Sequence, residues 1–180
     1  MQELFLEFLK NPTADTFRAI RAEVVKHEKY DGYSRDLDEM RQAFNQKRFA
    51  DIRTVFGNAQ PNLLLSPEAH FLLSLAAREL GDTKGAQIEQ YVSFRCIDGI
   101  LATGDGTEEK AYVVLRTSDE YDLLNILKKQ VQSQHLVHSD NGRSYDKMVC
   151  SDKSEVWFDI TDLFDAMTLR LHPLGKPQTS

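Results

Sequence analysis

From Gln2 to Leu101 the apolar residues recur three and four positions apart, in runs broken by turn-forming residues, and that period predicts six amphipathic helices. The first carries Leu4, Phe5, Phe8 and Leu9 and stops at Asn11-Pro12, because the residue before a proline avoids helical dihedrals. Thr13 is placed to cap the second, which holds Phe17, Ile20, Val24 and Val25 on one side before the Asp31-Gly32 turn. Ser34 is the expected cap of the third, with Leu37, Met40, Ala43 and Phe44. The fourth turns Phe49, Ile52, Val55 and Phe56 inward and ends at Gly57 and Pro61. Ser66-Pro67-Glu68 opens the fifth with a capping hydroxyl, a proline where no donor is needed and a carboxylate near the positive end of the dipole. After Gly81-Asp82 the sixth restarts at Thr83 and carries Ala86, Ile88, Tyr91, Val92, Phe94 and Ile97.

Short connections make three antiparallel hairpins of these helices, and one internal period appears. Residues Lys47 to Ile52 align with Gly81 to Ala86 at an offset of 34, with Ala43 over Ala77. The stretch Leu73 to Ala86, with Ala77, Leu80, Gly81-Asp82 and Ala86, resembles a tetratricopeptide repeat. It departs from that pattern in lacking the signature tryptophan and the closing proline, and Phe56 falls over Gln90.

At Gly104-Asp105-Gly106-Thr107 the period changes from 3.6 to 2, which sets the expected boundary between a helical domain, residues 1–101, and a second domain, residues 102–180. Ala111 to Arg116 is a predicted strand, and Ser118 is the expected cap of a helix with Tyr121, Leu123, Leu124, Ile126 and Leu127. Val131 to His138 and Tyr145 to Cys150 are strands around Asp140-Asn141-Gly142, a signal for a two-residue turn. Glu155 to Ile160 alternates Val156, Phe158 and Ile160 on one face with Glu155, Trp157 and Asp159 on the other. Thr161 is the expected cap of a last helix with Leu163, Phe164, Met167 and Leu169. The order β-α-β-β-β-α predicts an α+β fold with a small antiparallel sheet under helix cover.

Gly104-Asp105-Gly106-Thr107, Ala111-Tyr112-Val113-Val114, Ser118-Asp119-Glu120-Tyr121-Asp122, Leu124 and Trp157-Phe158-Asp159-Ile160, taken in this order, resemble an uncharacterised bacterial family, domain of unknown function 4919. The resemblance covers roughly residues 100–164 and implies a bacterial α+β domain without an assigned activity. Members of that family carry export signals. This chain begins without a basic stretch and a long apolar one, so the expected location is the cytoplasm.

Composition narrows the partners. The 180 residues carry a formal charge of −6, with a local −5 between Asp98 and Asp122, so no basic field draws in nucleic acid. No apolar run approaches the about 20 residues that span a bilayer, and Cys96 and Cys150 form neither a disulfide framework nor a zinc cluster.

Asp105, between two glycines, and Thr107 could approach a calcium ion or a phosphate. The loop lacks the alternating oxygens and bidentate acid of the one, and the Lys-Ser/Thr ending of the other, which leaves a tight turn as the expected role. Asp119, Glu120 and Asp122 follow Ser118 in a first helical turn, where each acid contributes about 0.3–1 kcal/mol against the dipole. With Tyr121, and with Asp105 folded back, they would instead frame an acid/base site. His135 and His138, three apart on a strand, point to opposite faces and make no metal pair, and His70 in its apolar setting reads as a packing residue. Trp157 is expected either under the cover of the helical half, the favoured reading, or exposed as an anchor for a partner.

No nucleophile elbow, zinc-protease helix, dinucleotide fingerprint or paired-cysteine motif occurs, so no cofactor and no metal are expected. The expected function is a non-enzymatic interaction or scaffolding module for a protein or peptide, with no nucleic-acid or membrane partner. Its candidate surface is Asp105, Thr107, Asp119, Glu120, Tyr121, Asp122 and Trp157. The alternative is a small hydrolase-like enzyme or ligand-binding domain using the acids Asp105, Asp119, Glu120 and Asp122 at the domain junction.

Overall fold

The computed structural model describes residues 1–140 and 142–171. Within them run α1 (Gln2–Lys10), α2 (Ala14–Val25), α3 (Asp36–Asn45), α4 (Phe49–Asn58), α5 (Pro67–Glu79), α6 (Thr83–Ala102), β1 (Tyr112–Val113), α7 (Thr117–Ile126), β2 (Val131–His138), β3 (Ser144–Cys150), β4 (Glu155–Asp159) and α8 (Thr161–Leu171). The α+β order is as expected. Asn141 of the anticipated turn and the Leu169 side chain lie outside the described residues.

Helix starts differ in which side chain supplies the capping acceptor. The Thr13 hydroxyl accepts from the Thr16 N–H and the Ser66 hydroxyl from the Ala69 N–H, both at 3.3 Å, as the patterns predict. Three expected caps are corrected. Ser34 does not cap α3: its hydroxyl accepts from Arg116 at 3.0 Å and its carbonyl from the same guanidinium at 2.6 Å. Ser118 lies inside α7 with an unpartnered hydroxyl, and the Asp119 carboxylate instead reaches back to the Leu115 and Arg116 N–H groups at 3.2 and 3.0 Å. Thr161 is the first residue of α8, and Asp159 accepts from its N–H at 3.0 Å.

The 34-residue offset has a structural counterpart. At the end of α3 the Arg48 N–H bonds to the Ala43 carbonyl at 2.9 Å, and at the end of α5 the Asp82 N–H bonds to the Ala77 carbonyl at 2.8 Å. The residue before each, Lys47 (φ 57) and Gly81 (φ 79), takes the left-handed conformation of this C-terminal motif.

The sheet order is β1-β4-β3-β2. β2–β3 and β3–β4 form the anticipated antiparallel meander, but β1 pairs with β4 in parallel, so the sheet is mixed. β1 is also shorter than the alternation suggests, because side chains take its next backbone groups. Arg21 bonds to the Val114 carbonyl at 3.0 and 2.9 Å, and the Tyr30 hydroxyl to the Leu115 carbonyl at 2.8 Å. The β2–β3 connection is not a two-residue turn: the Ser139 N–H bonds to the Arg143 carbonyl, and Gly142 has φ 80.

Two apolar cores hold the molecule. One is built from α3, α4 and α5, with Leu37, Met40, Ile52, Leu63 and Leu73. The other crosses the expected boundary, joining Phe8, Phe17, Ile20, Cys96 and Ile100 of the helices to Leu115, Leu123, Met148, Phe158 and Leu163 of the second half. Within the helical half, Gly99 lets α1 and α2 approach α6 closely: a Cβ there would lie 2.5 Å from Phe17 and 2.7 Å from Phe8.

Candidate functional site

The acidic start of α7 lies at the seam between the two halves. Arg116, buried, holds the 31–34 loop through Ser34 and, at 3.3 Å, the Asp31 carbonyl. Asp119 and Glu120 are also buried rather than solvated around the helix start. Burial pushes the Asp119 carboxyl up to about 7 against the opposing pull of Arg116 and of its two backbone donors. Glu120 is pushed up to about 10, first by burial and then by the carboxylates of Asp146 and Asp119, and neither of its oxygens has a partner of good hydrogen-bond geometry. Asp146 is drawn into the same group by Gln134, whose Nε2 donates to it at 2.8 Å, while the exposed Tyr121 hydroxyl donates to Gln134 Oε1 at 3.1 Å.

Asp122 faces outward one turn later and accepts from the Glu68 N–H at the start of α5, at 3.2 Å. Burial, Asp119 and Glu68 together push it up to about 8. It lies where two clefts meet. A polar one of about 410 Å³ is lined by Arg41, Glu68, Thr117, Ser118, Tyr121, Asp122 and Asn125. An apolar one of about 270 Å³, between α5, α6 and α7, includes Pro67, Phe71, Phe94, Ile97 and Ile126. Arg41 grips the Glu68 carboxylate with two donors, which fixes the shared wall.

The expected surface is thus dispersed. Tyr121 and Asp122 line a cleft, whereas Asp119 and Glu120 are sealed beneath α7. Asp105 does not fold back over the helix start: its carboxylate accepts from the N–H and hydroxyl of Thr107 at 3.1 and 2.7 Å, closing its own turn and holding its carboxyl below the usual range. Trp157 is buried, yet outside both cores, and its ring meets two side chains of β3. Tyr145 meets it edge-on at 6.0 Å and the Lys147 ammonium sits 5.3 Å from its centroid. His135 and His138 occupy an unshifted stretch of β2 and so face opposite ways, His135 bonding to Ser133 and His138 to Ser144. His70 packs between Phe5 and Phe56 with Glu89 and the Leu64 carbonyl on its two nitrogens, a structural placement as its setting predicts. No cluster of metal-ligating side chains is found among the described residues.

Sequence reasoning missed Arg116, Phe71 and Phe94. The last two had a usable signal: Phe71 sits off the apolar stripe of α5, and α6 is apolar over more of its circumference than one buried face needs.

No helix among the described residues is long and apolar enough to cross a membrane. No curated protein and no solved structure matches the chain significantly. A family model does match, and it spans residues 13–168, so the likeness carried by the motifs around β1, α7 and β4 extends back through the helices packed on them. The match takes in α2 to α7 and the whole sheet, and the chain belongs to the family described as Domain of unknown function (DUF4919).

Proposed function

We propose that the protein is a non-enzymatic interaction module in which α5, α6 and α7 form a docking platform for a partner protein or peptide. Residues 1–101 supply α5 and α6 as a tetratricopeptide-like hairpin, and residues 102–180 close the groove with α7. The observation that carries the reading is the apolar cleft itself. Phe71, Phe94 and Ile126 around it are 47, 56 and 53% exposed, a contiguous apolar strip with Glu68, Gln90, Asp122 and Asn125 at its rim. Such a strip is unfavourable in water unless something covers it, and a groove between helices suits an amphipathic segment that inserts apolar side chains.

Random peptides displayed on phage and selected on the protein test the reading, with the Phe71→Ser/Phe94→Ser variant as counter-target. Enrichment of a motif with apolar anchors, lost on the variant, is the expected result. No enrichment over the variant overturns the platform.

One observation favours a second reading, a small hydrolase-like or ligand-binding domain: Asp122, raised to about 8, lines the polar cleft beside Ser118, Tyr121 and Arg41. It ranks second because the Ser118 hydroxyl has no base in hydrogen-bond contact and Asp119 and Glu120 line neither cleft. Hydrolysis of p-nitrophenyl acetate by the wild type, abolished in Asp122→Asn, would promote it.

A further inference from the structure

A third cleft, of about 350 Å³, opens where the parallel strands β1 and β4 end, lined by Arg18, Arg21, Val113, Arg143, Asp159, Thr161 and Asp162. Two elements bring its three guanidinium groups together: α2 carries Arg18 and Arg21 one turn apart, and the β2–β3 loop carries Arg143. Arg21 is buried and immobilised by the Val114 carbonyl and by Asp162. Arg143 bonds to Asp159 at 3.0 Å, and the other Asp159 oxygen accepts from the N–H and hydroxyl of Thr161 at 3.0 and 2.6 Å. Asp159 therefore already caps α8, so the helix start is not what would attract a ligand.

What remains is charge. Two carboxylates face three arginines. Arg18, exposed, makes no ion pair among the described residues and gives one donor to the Thr103 carbonyl at 3.0 Å, leaving the rest of its fork free. The carboxyl ends of parallel strands are where open α/β sheets place ligands, because the chain there diverges into loops and helices and leaves a crevice. A fixed guanidinium beside a free one favours planar or tetrahedral oxyanions.

The geometry points to a binding site for a small molecule bearing one carboxylate or phosphate group, held by Arg18 with Arg21 and Arg143 at the ends of β1 and β4. The site is separate from the apolar groove and does not depend on the docking reading. Amide and arginine Nε NMR titrations with inorganic phosphate and with acetate, at ionic strength held constant with chloride, test it.

Saturable shifts are expected at Val113, Val114, Thr161 and Asp162 and at the Arg18 and Arg21 Nε–H groups, with Phe71, Phe94 and Ile126 unmoved. Saturation by phosphate alone, acetate alone or both assigns the group. Arg18→Gln, at an exposed position, is expected to weaken the effect at least tenfold while the remaining spectrum is retained, and Arg143→Gln gives a second check. Unsaturable shifts spread over the surface, or an Arg18→Gln titration equal to that of the wild type, overturn the site.

Discussion

β1 and β4 lie side by side, run in the same direction and each pass the chain to a helix within a few residues, yet the two junctions differ in electrostatic character. At the β1–α7 junction Asp119 and Glu120 are buried, and the latter is pushed up to about 10. At the β4–α8 junction Asp159 and Asp162 each face a guanidinium beside an open cleft. Both helices begin with a threonine followed closely by acids, so the local sequences resemble each other. The cover differs. α7 packs against α5 and α6 with Arg116 tied to the 31–34 loop, whereas α8 starts at the mouth of a cavity. An acid in a first turn complements the helix dipole as an anion only while water or a cation reaches it; Glu120, sealed from both, keeps its proton.

The largest expected effect breaks the buried junction. Arg116→Ala removes the donors on the Asp31 and Ser34 carbonyls and leaves Asp119 without its nearby cation, for a loss of about 3 kcal/mol. At the open junction Arg143→Ala costs under about 1 kcal/mol, because its side chain is mostly exposed. Urea denaturation followed by Trp157 fluorescence measures both, and equal losses would erase the contrast.

Glu120 sharpens the comparison through pH. Its folded value of about 10 lies above the ordinary 4.5, so the folded chain keeps a proton that the unfolded chain releases. Stability therefore declines as pH rises between those values, by up to about 1.4 kcal/mol per unit. Glu120→Gln is expected to flatten this slope, with a gain on the order of 4 kcal/mol at pH 8 relative to pH 5. Unfolding curves across that range decide it, and parallel pH profiles for variant and wild type would show that Glu120 is charged at no cost.

The smallest effect concerns the far end of α7, where Lys128 has φ 56. Lys128→Gly relieves a left-handed conformation and should raise stability by up to about 1 kcal/mol, seen as a small increase in Tm. No gain there would mean that the lysine side chain contributes contacts that offset its strained backbone.

Much of this architecture is legible from local pattern. Thr13 and Ser66 cap as their spacing predicts, and Gly81 ends α5 through a conformation suited to glycine. The failures at Ser34, Ser118 and Thr161 have two causes. At Ser118 and Thr161 a neighbouring carboxylate, Asp119 or Asp159, accepts the bond that sets the junction, whereas the Ser34 hydroxyl is engaged by Arg116, which the fold brings from 82 residues away. Of the candidate surface residues, Tyr121 and Asp122 line a cleft, whereas no spacing rule joins Arg18, Arg21 and Arg143, which lie too far apart in the chain.

Local pattern determined the helices, the strands, their order along the chain and the place where one period gives way to the other, though not the short extent of β1, because helix and strand repeats are properties of consecutive residues. Tertiary structure alone decided that β1 joins β4 in parallel, that Asp119 and Glu120 are sealed while Asp122 meets solvent, and that three distant arginines share a cavity. Those outcomes depend on which surfaces exclude water from one another, and that is set by residues a hundred positions apart.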